Sequence, residues 1–193
     1  MNLLGNGLAY AEQFKDAVLV YEADLAMLRR LGGSADSILG VQSNLANTYR
    51  ALGRFEEALS LRRDVYSATL NLFGSDDGDA LLEANNYGNC LLQLKRFEEV
   101  RALSRKMIPV ARRVLGENDD LTLRMRWIYA QSLYSDDDAT LDDLREAVST
   151  LEEIERTARR VMGGAHPLTE GIEDDLQHAR ALLRARETAL AEA

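Results

Sequence analysis

The chain has 193 residues, of which 46% are apolar and only 6% are aromatic, and its 32 acidic side chains outnumber 23 basic ones to give a net charge of −9. This acidity argues against a nucleic acid partner, because the phosphate backbone would be repelled. The single cysteine, Cys90, cannot form an internal disulfide, and no stretch approaches the ~18 consecutive apolar residues of a membrane helix. We therefore expect a cytoplasmic protein with no membrane partner, in which Cys90 is a buried core residue.

Helical periodicity runs through the whole chain. In one segment Leu45, Tyr49 and Leu52 recur at three- and four-residue spacing, and Gly53 then interrupts the apolar face. Gly53 and Gly74 stand where a tight turn or a helix C-terminus would need a positive φ. Together these signals predict nine helices, at about residues 1–12, 14–31, 36–52, 55–73, 78–94, 97–115, 119–134, 140–162 and 167–190.

Residues that favour helix starts precede several of these segments. Asp77 or Asp79 can cap the fifth helix, and Asp119 can cap the seventh. Thr140 with Asp143 has the spacing of a capping box ahead of the eighth helix. These caps agree with the boundaries that the apolar periodicity predicts.

Two stretches of the chain are nearly the same. The stretches are SNLANTYRALGRFEEALSL at 43–61 and NNYGNCLLQLKRFEEVRAL at 85–103, which lie 42 positions apart. Phe55 and Phe97 are equivalent residues in the two stretches, and Phe14 lies 41 residues before Phe55. Because a helix pair cannot bury its apolar face alone, we expect consecutive antiparallel pairs to stack as one all-α array. The predicted single array covers residues 1–193, with repeats at about 1–33, 34–75, 76–117 and 118–164 and a capping helix at 165–193.

The pattern N-L-A-x-x-Y-x-x-L-G-R-F-E-E-A-L-x-L at 44–61 resembles the tetratricopeptide repeat. The 42-residue period and the segment GGAHPLT at 163–169 resemble the kinesin light chain subgroup of that family. The resemblance implies a right-handed superhelical solenoid in which the first helix of each pair lines a concave groove. It also implies a scaffold for protein–protein interaction and not an enzyme, although arrays of this kind serve many unrelated complexes.

In this family one groove position often carries an asparagine that hydrogen-bonds the backbone of a bound extended peptide. By alignment the resemblance places Asn6, Asn47, Asn89 and Gln131 there. A carboxamide offers both a donor and an acceptor, so it can pair with a peptide group; the alternative is a solvated face or contact with a neighbouring repeat. The other side chains expected on this face are Ser43, Arg50, Asn85, Gln93, Trp127 and Tyr134, with Asn2, Tyr10, Asn44 and Asn86 beside them.

The expected groove is polar, nearly neutral and partly aromatic. Arg50 is the only charge among the assigned positions, which makes an acidic tail a poor match. Trp127, the only tryptophan, is either an anchor for a ligand or a packing residue between helices.

The remaining polar clusters favour structural roles. SDDDATLDD at 135–143 lacks the loop glycine and terminal glutamate of an EF-hand, so a solvated linker is expected. His166 and His178 have no cysteine pair to complete a zinc site, and no catalytic set is evident. Arg62-Arg63 is one of four arginine pairs on second helices, mostly in last turns where cations favour the helix dipole; a phosphate-binding stripe is the alternative.

Two functions fit these observations, and neither needs a metal or a cofactor. The first is a non-enzymatic scaffold that binds an extended peptide segment of a partner protein in its concave groove. The second is a structural spacer or self-assembly module that acts through its ends and convex face. The chain begins inside its first predicted helix, so we also expect either a piece of a longer array or an end-to-end contact with another subunit. An enzyme would require a deep, enclosed pocket.

Overall fold

The computed structural model describes residues 2–191, in which every regular element is an α-helix. The two outer limits of the predicted array, residues 1 and 193, lie outside this range. In chain order the helices are Asn2–Tyr10 (α1), Phe14–Leu31 (α2), Ala35–Ala51 (α3), Phe55–Phe73 (α4), Gly78–Gln93 (α5), Phe97–Val114 (α6), Asp120–Tyr134 (α7), Leu141–Met162 (α8) and Pro167–Ala191 (α9). The prediction of an all-α repeat fold is confirmed.

The predicted helix starts are confirmed by the caps that form them. The Asp77 side chain accepts hydrogen bonds from two backbone N–H groups at the start of α5, and Asp119 accepts from one at the start of α7. Thr140 and Asp143 form a complete capping box at the start of α8. Each cap satisfies donors that the first helical turn leaves without a partner.

The first helix ends two residues earlier than predicted. Glu12 has a φ of 58°, in the left-handed region, and the Gln13 N–H donates to the Leu8 carbonyl at 2.9 Å. This closing pattern stops the helix before Phe14 starts the next one. The chain carries no glycine there, so the stop is not visible in the sequence.

The chain divides into two compact units, Met1–Leu94 (unit 1) and Lys95–Ala193 (unit 2). In unit 1 the helices α1 to α5 pack each against the next in sequence. One core cluster of this unit lies between α2 and α3 and consists of Ala17, Val18, Tyr21, Leu25, Val41 and Leu45. The continuity of one array through both units stays a prediction.

Unit 2 packs α6 on α7, α7 on α8 and α8 on α9, and α9 also touches α7. The core comes from one face of each of the last three helices, for example Leu133, Leu151 and Ile172, all fully buried. Along α9 the apolar side chains recur at three- and four-residue spacing, so its buried stripe follows directly from the sequence. None of the helices described between residues 2 and 191 is long and apolar enough to cross a membrane.

Candidate functional site

Asn47, one of the four predicted carboxamides, is held by a buried arginine. Arg62 of α4 is 2% exposed, and its guanidinium donates to Asn47 Oδ1 at 2.6 Å. It also donates to Ser43 Oγ at 2.6 Å and to Glu83 Oε2 at 2.7 Å. The Ser43 hydroxyl donates in turn to Glu83 Oε1 at 2.7 Å. A buried guanidinium needs acceptors for its N–H donors, and residues of α3 and α5 supply these acceptors from both sides.

Asn6, the equivalent carboxamide on α1, is held in a similar way by a phenol. Tyr21 of α2 is 1% exposed, and its hydroxyl donates to Asn6 Oδ1 at 2.7 Å. Asn44 Nδ2 on α3 donates to the same oxygen at 3.1 Å and to Asn2 Oδ1 at 3.2 Å. Three asparagines from two consecutive first helices are therefore joined into one cluster. We call Asn2, Asn6, Asn44 and Asn47 the amide face.

Tyr21 and Arg62 occupy the same position in their repeats. Each is the eighth residue of a second helix, since α2 begins at Phe14 and α4 at Phe55. Because an arginine only donates, the Asn47 atom that faces it must be the oxygen, and the amino group is directed elsewhere. The Asn6 and Asn47 side chains are exposed, and their amino groups have no hydrogen-bond partner among residues 2–191.

A cleft of about 680 Å³ opens beside the amide face in unit 1. We call it the unit-1 cleft, and its volume lies within the range of about 300–1,000 Å³ that is usual for ligand sites. It is lined by amide and hydroxyl groups, by four carboxylates and by apolar side chains, including Asn2, Ser43, Asn44, Asp24, Asp36, Asp79, Glu83, Leu28, Leu39, Phe73 and Leu82. The lining contains no lysine or arginine, so the cleft is acidic. Its four carboxylates are not among the groove positions that the sequence predicts.

In unit 2 the predicted residues converge on Asp175 of α9. Asp175 Oδ2 accepts hydrogen bonds from Trp127 Nε1 at 2.6 Å and from Gln131 Nε2 at 2.7 Å. Burial, and after it the Asp175 carboxylate, raises the pKa of the Tyr134 phenol well above its usual range. The Trp127 ring lies against Gly171, where an added Cβ would come within 2.7 Å of the ring. These contacts join the Trp127 side chain to α9, while its two possible roles, ligand anchor and packing residue, stay predictions.

The remaining predicted residues are on α5 and at exposed positions. Asn89 Nδ2 donates to the Asn85 carbonyl of its own helix at 3.0 Å. Asn85 is buried, and its Oδ1 has no hydrogen-bond partner in the described part of the chain. Asn86 is half-buried. Those that are exposed are Tyr10, Arg50 and Gln93.

Sequence reasoning missed the residues that hold or surround the carboxamides, namely Tyr21, Arg62, Asp24 and Asp175. A usable signal existed for two of them. Asp24 and Arg62 are charged residues at the three- and four-residue spacing that otherwise carries the buried side chains of α2 and α4. A charge on the core-facing side of a helix calls for a partner or a ligand.

The chemistry available at these sites is hydrogen bonding and attraction of cations. Among residues 2–191 no group of three or more histidine, cysteine, aspartate or glutamate side chains is arranged to hold a metal ion. Burial raises the pKa of the Cys90 thiol, which lowers its thiolate fraction and its reactivity.

A tetratricopeptide repeat family model matches residues 38–79, which contain most of α3, all of α4 and the Asn47–Arg62 contact. Two crystal structures of a Podosopora anserina protein with nearly identical TPR-like repeats, assigned as a kinesin light chain, match with TM-scores of 0.79 and 0.77. The chain has a kinesin light chain-like tetratricopeptide repeat fold. Each of these matches has 19% sequence identity and covers 98% of this chain and 88% of that chain.

A further match is the crystal structure of BtubC (BKLC) from P. vanneervenii, with a TM-score of 0.64 and 17% identity over 94% of this chain and 78% of that chain. No curated protein sequence matches this chain. At such identities the likeness concerns the fold alone. The tetratricopeptide repeat fold generally serves as a scaffold for protein–protein interaction, through the extended surfaces that stacked repeats create.

Proposed function

We propose that the chain is a non-enzymatic protein–protein interaction module whose amide face binds the main chain of an extended segment of a partner protein. The observation that carries the proposal is the anchoring of Asn6 and Asn47 by their oxygens, to Tyr21 and Arg62, with their amino groups left exposed. We place the protein in the cytoplasm, where its unpaired and buried Cys90 would stay reduced.

The hydrogen-bonding groups of the amide face match those of an extended chain. Asn6 and Asn47 offer N–H donors, while Asn44 uses its amino group for Asn2 and Asn6 and so offers its carbonyl oxygen. An extended peptide presents C=O and N–H groups in alternation, and carboxamides can pair with both without selecting side chains. Arg50, Asn89 and Gln93 are proposed as flanking contacts on α3 and α5.

Asn47→Asp tests this proposal without disturbing the anchor. An aspartate oxygen still accepts from Arg62, but the outward N–H donors are lost and a carboxylate faces the peptide carbonyls. We expect about tenfold weaker binding of neutral, blocked, extended peptides, because a lost hydrogen bond of this kind costs about 1.5 kcal/mol. The measurement is a titration of the isotope-labelled chain with a pooled peptide library, followed by amide resonances of α1 and α3.

The chain offers a matched control in unit 2. Asn118 Oδ1 accepts from Arg160 Nη2 at 2.9 Å, so Asn118→Asp makes the same exchange beside another arginine and adds the same charge. We expect it to leave peptide binding unchanged. Equal binding by the wild-type chain and Asn47→Asp, or no resonance shift on α1 and α3 with any peptide, would contradict the proposal.

Self-assembly is a second candidate function, favoured by the apolar surface of α1. Leu3, Leu4 and Tyr10 are 88%, 57% and 94% exposed, which is an unusual density of uncovered apolar side chains on a nine-residue helix. Sedimentation over a range of concentrations should then show oligomers that Leu3→Lys removes. A wild-type chain that stays monomeric at the highest concentration excludes this alternative.

A further inference from the structure

Asp24 of α2 is a buried carboxylate without a partner. It is 5% exposed, on the side of the helix that carries Tyr21 and Leu25 into the core. Within residues 2–191 its side chain makes no hydrogen bond and no ion pair. A charged group on the core-facing side of a helix without a protein partner calls for a ligand, and violations of this kind tend to occur at functional sites.

The Asp24 carboxylate lines the unit-1 cleft together with other acidic groups. Asp36 and Asp79, in the first turns of α3 and α5, line the same cleft and form no ion pair in the described part of the chain. Glu83 is also present, but Arg62 balances its charge. Acidic residues at helix N-termini are explained by the helix dipole alone. Asp24 lies in the middle of its helix, so that explanation does not extend to it.

The rest of the cleft suits a long side chain that ends in a cation. Leu39, Phe73 and Leu82 provide apolar surface in the lining, and Phe73 and Leu82 are 47% and 44% exposed. Lysine and arginine cover such surface with their aliphatic stems and carry the charge at the tip. A charge-assisted hydrogen bond to a carboxylate is also among the stronger contacts a peptide can make, and more so away from water.

We propose that Asp24 binds a lysine or arginine side chain of the partner segment, with Asp36 and Asp79 drawing the cation into the unit-1 cleft. This inference rests on the proposed function, since Asn2 and Asn44 belong to both the amide face and the cleft. The partner segment is therefore one that carries a lysine or arginine, whereas the amide face alone would not distinguish such a segment from a neutral one.

The test uses three blocked, extended peptides that differ only in a central lysine, norleucine or glutamate. We expect the lysine peptide to shift the resonances of cleft residues and to bind at least about tenfold more tightly than the norleucine peptide. Asp24→Asn should remove that advantage. Asp16→Asn, an exposed aspartate on the same helix, is the control and should keep it.

A second measurement separates binding from a structural role. Because the Asp24 side chain has no hydrogen-bond or ion-pair partner among residues 2–191 and lies beside other carboxylates, Asp24→Asn should keep or raise the melting temperature of the free protein. A clear fall in melting temperature would mean that the carboxylate has a structural partner, and this would overturn the inference.

The outcomes for the two proposals are distinguishable. Equal affinity for the lysine and norleucine peptides in the wild-type chain, or an unchanged lysine advantage in Asp24→Asn, overturns the role of Asp24 while peptide binding itself stands. The comparison of peptides on the wild-type chain holds even if the variant does not fold. If none of the three peptides shifts the cleft or the amide face, both proposals fail.

Discussion

Gly5 shows how one missing Cβ determines the contact between α1 and α2. A Cβ built at Gly5 would lie 2.5 Å from the Tyr21 ring, whereas a Cβ at Gly7 on the same helix meets nothing within 4 Å. We therefore expect Gly5→Ala to lower the free energy of unfolding by about 1 kcal/mol or more, because overpacking outweighs the gain in helix propensity.

Gly7→Ala makes the same exchange where there is space. It should raise stability by about 0.5–1 kcal/mol, since alanine restricts the unfolded chain more than glycine does. Urea unfolding of both variants, followed by far-ultraviolet circular dichroism, checks the pair. Equal effects at the two positions would show that Tyr21 does not press against α1.

Arg62 makes a second prediction at the level of single residues. Arg62→Met leaves Glu83 buried without a counter-charge, which should cost about 3–5 kcal/mol. The double variant that also carries Glu83→Met should recover most of the loss, because a matched apolar pair often replaces a buried ion pair at little cost.

The neighbouring Arg63 is the control for Arg62. It is exposed, and its one ion pair among residues 2–191 is with Asp64, at 3.8 Å, so Arg63→Met should change stability by less than about 0.5 kcal/mol. Thermal and urea unfolding of the wild type, Arg62→Met, the double variant and Arg63→Met is the measurement. A double variant that is as unstable as Arg62→Met alone would contradict the ion-pair account.

Among the elements, α8 has the most fully formed start. The Thr140 hydroxyl accepts from the Asp143 N–H at 3.1 Å, and Asp143 Oδ2 accepts from the Thr140 N–H at 2.9 Å. Thr140→Ala should cost about 1 kcal/mol at neutral pH. Thr157→Ala in the same helix removes a hydroxyl that donates a hydrogen bond to the Glu153 carbonyl of its own helix, and it should cost less.

The cap also predicts that the difference in unfolding free energy between Thr140→Ala and the wild type depends on pH. Hydrogen bonds from the Thr140 side chain and backbone lower the pKa of Asp143. A lowered folded-state pKa means that the stabilisation is complete above the unfolded value of about 3.9 and is lost as the pH falls through the lower folded value. The difference in unfolding free energy between the two proteins should therefore shrink in acid. A difference that stays constant from neutral to acidic pH would rule out this account.

The bounds of the helices could be predicted from the sequence, whereas the hydrogen-bond partners of the carboxamides could not. Helix bounds followed from apolar periodicity and from caps such as Asp77 and Thr140, which are local signals. The partners of the carboxamides did not, because Asn47 meets Arg62 and Gln131 meets Asp175 across 15 and 44 residues of chain. Which polar groups meet at that separation depends on how the helices pack, and one repeat period does not determine this.

At the scale of the molecule, burial acts on several phenols in both units. It raises the pKa of five tyrosines, Tyr21, Tyr49, Tyr66, Tyr129 and Tyr134. A raised folded-state pKa means that their contribution is complete below the unfolded value of about 10 and is lost as the pH rises through the folded values. We expect the urea midpoint to fall steadily above about pH 10.

Tyr66→Phe isolates one part of this alkaline loss. The Tyr66 hydroxyl is buried and has no hydrogen-bond partner among the described residues. Its removal should therefore make the alkaline decrease in urea midpoint smaller without lowering stability at neutral pH. Urea midpoints measured from neutral to alkaline pH for both proteins are the check. A flat wild-type profile would mean that the phenols ionise without opposing the fold.

Equivalent positions of two repeats carry different residues, Tyr21 in one and Arg62 in the other. This difference limits how the repeats of such a chain can be recombined. The position equivalent to Glu83 one repeat earlier is Val41, which is 1% exposed. Tyr21 is combined with Val41, and Arg62 is combined with Glu83. In these two repeats the second helix is therefore matched to the first helix that follows it. Moving α4 into the place of α2 would bury a guanidinium against Val41 with no counter-charge. The unit that can be moved intact is therefore a second helix together with the first helix of the next repeat. A recombinant chain that keeps this unit has to be joined between the two helices of one repeat.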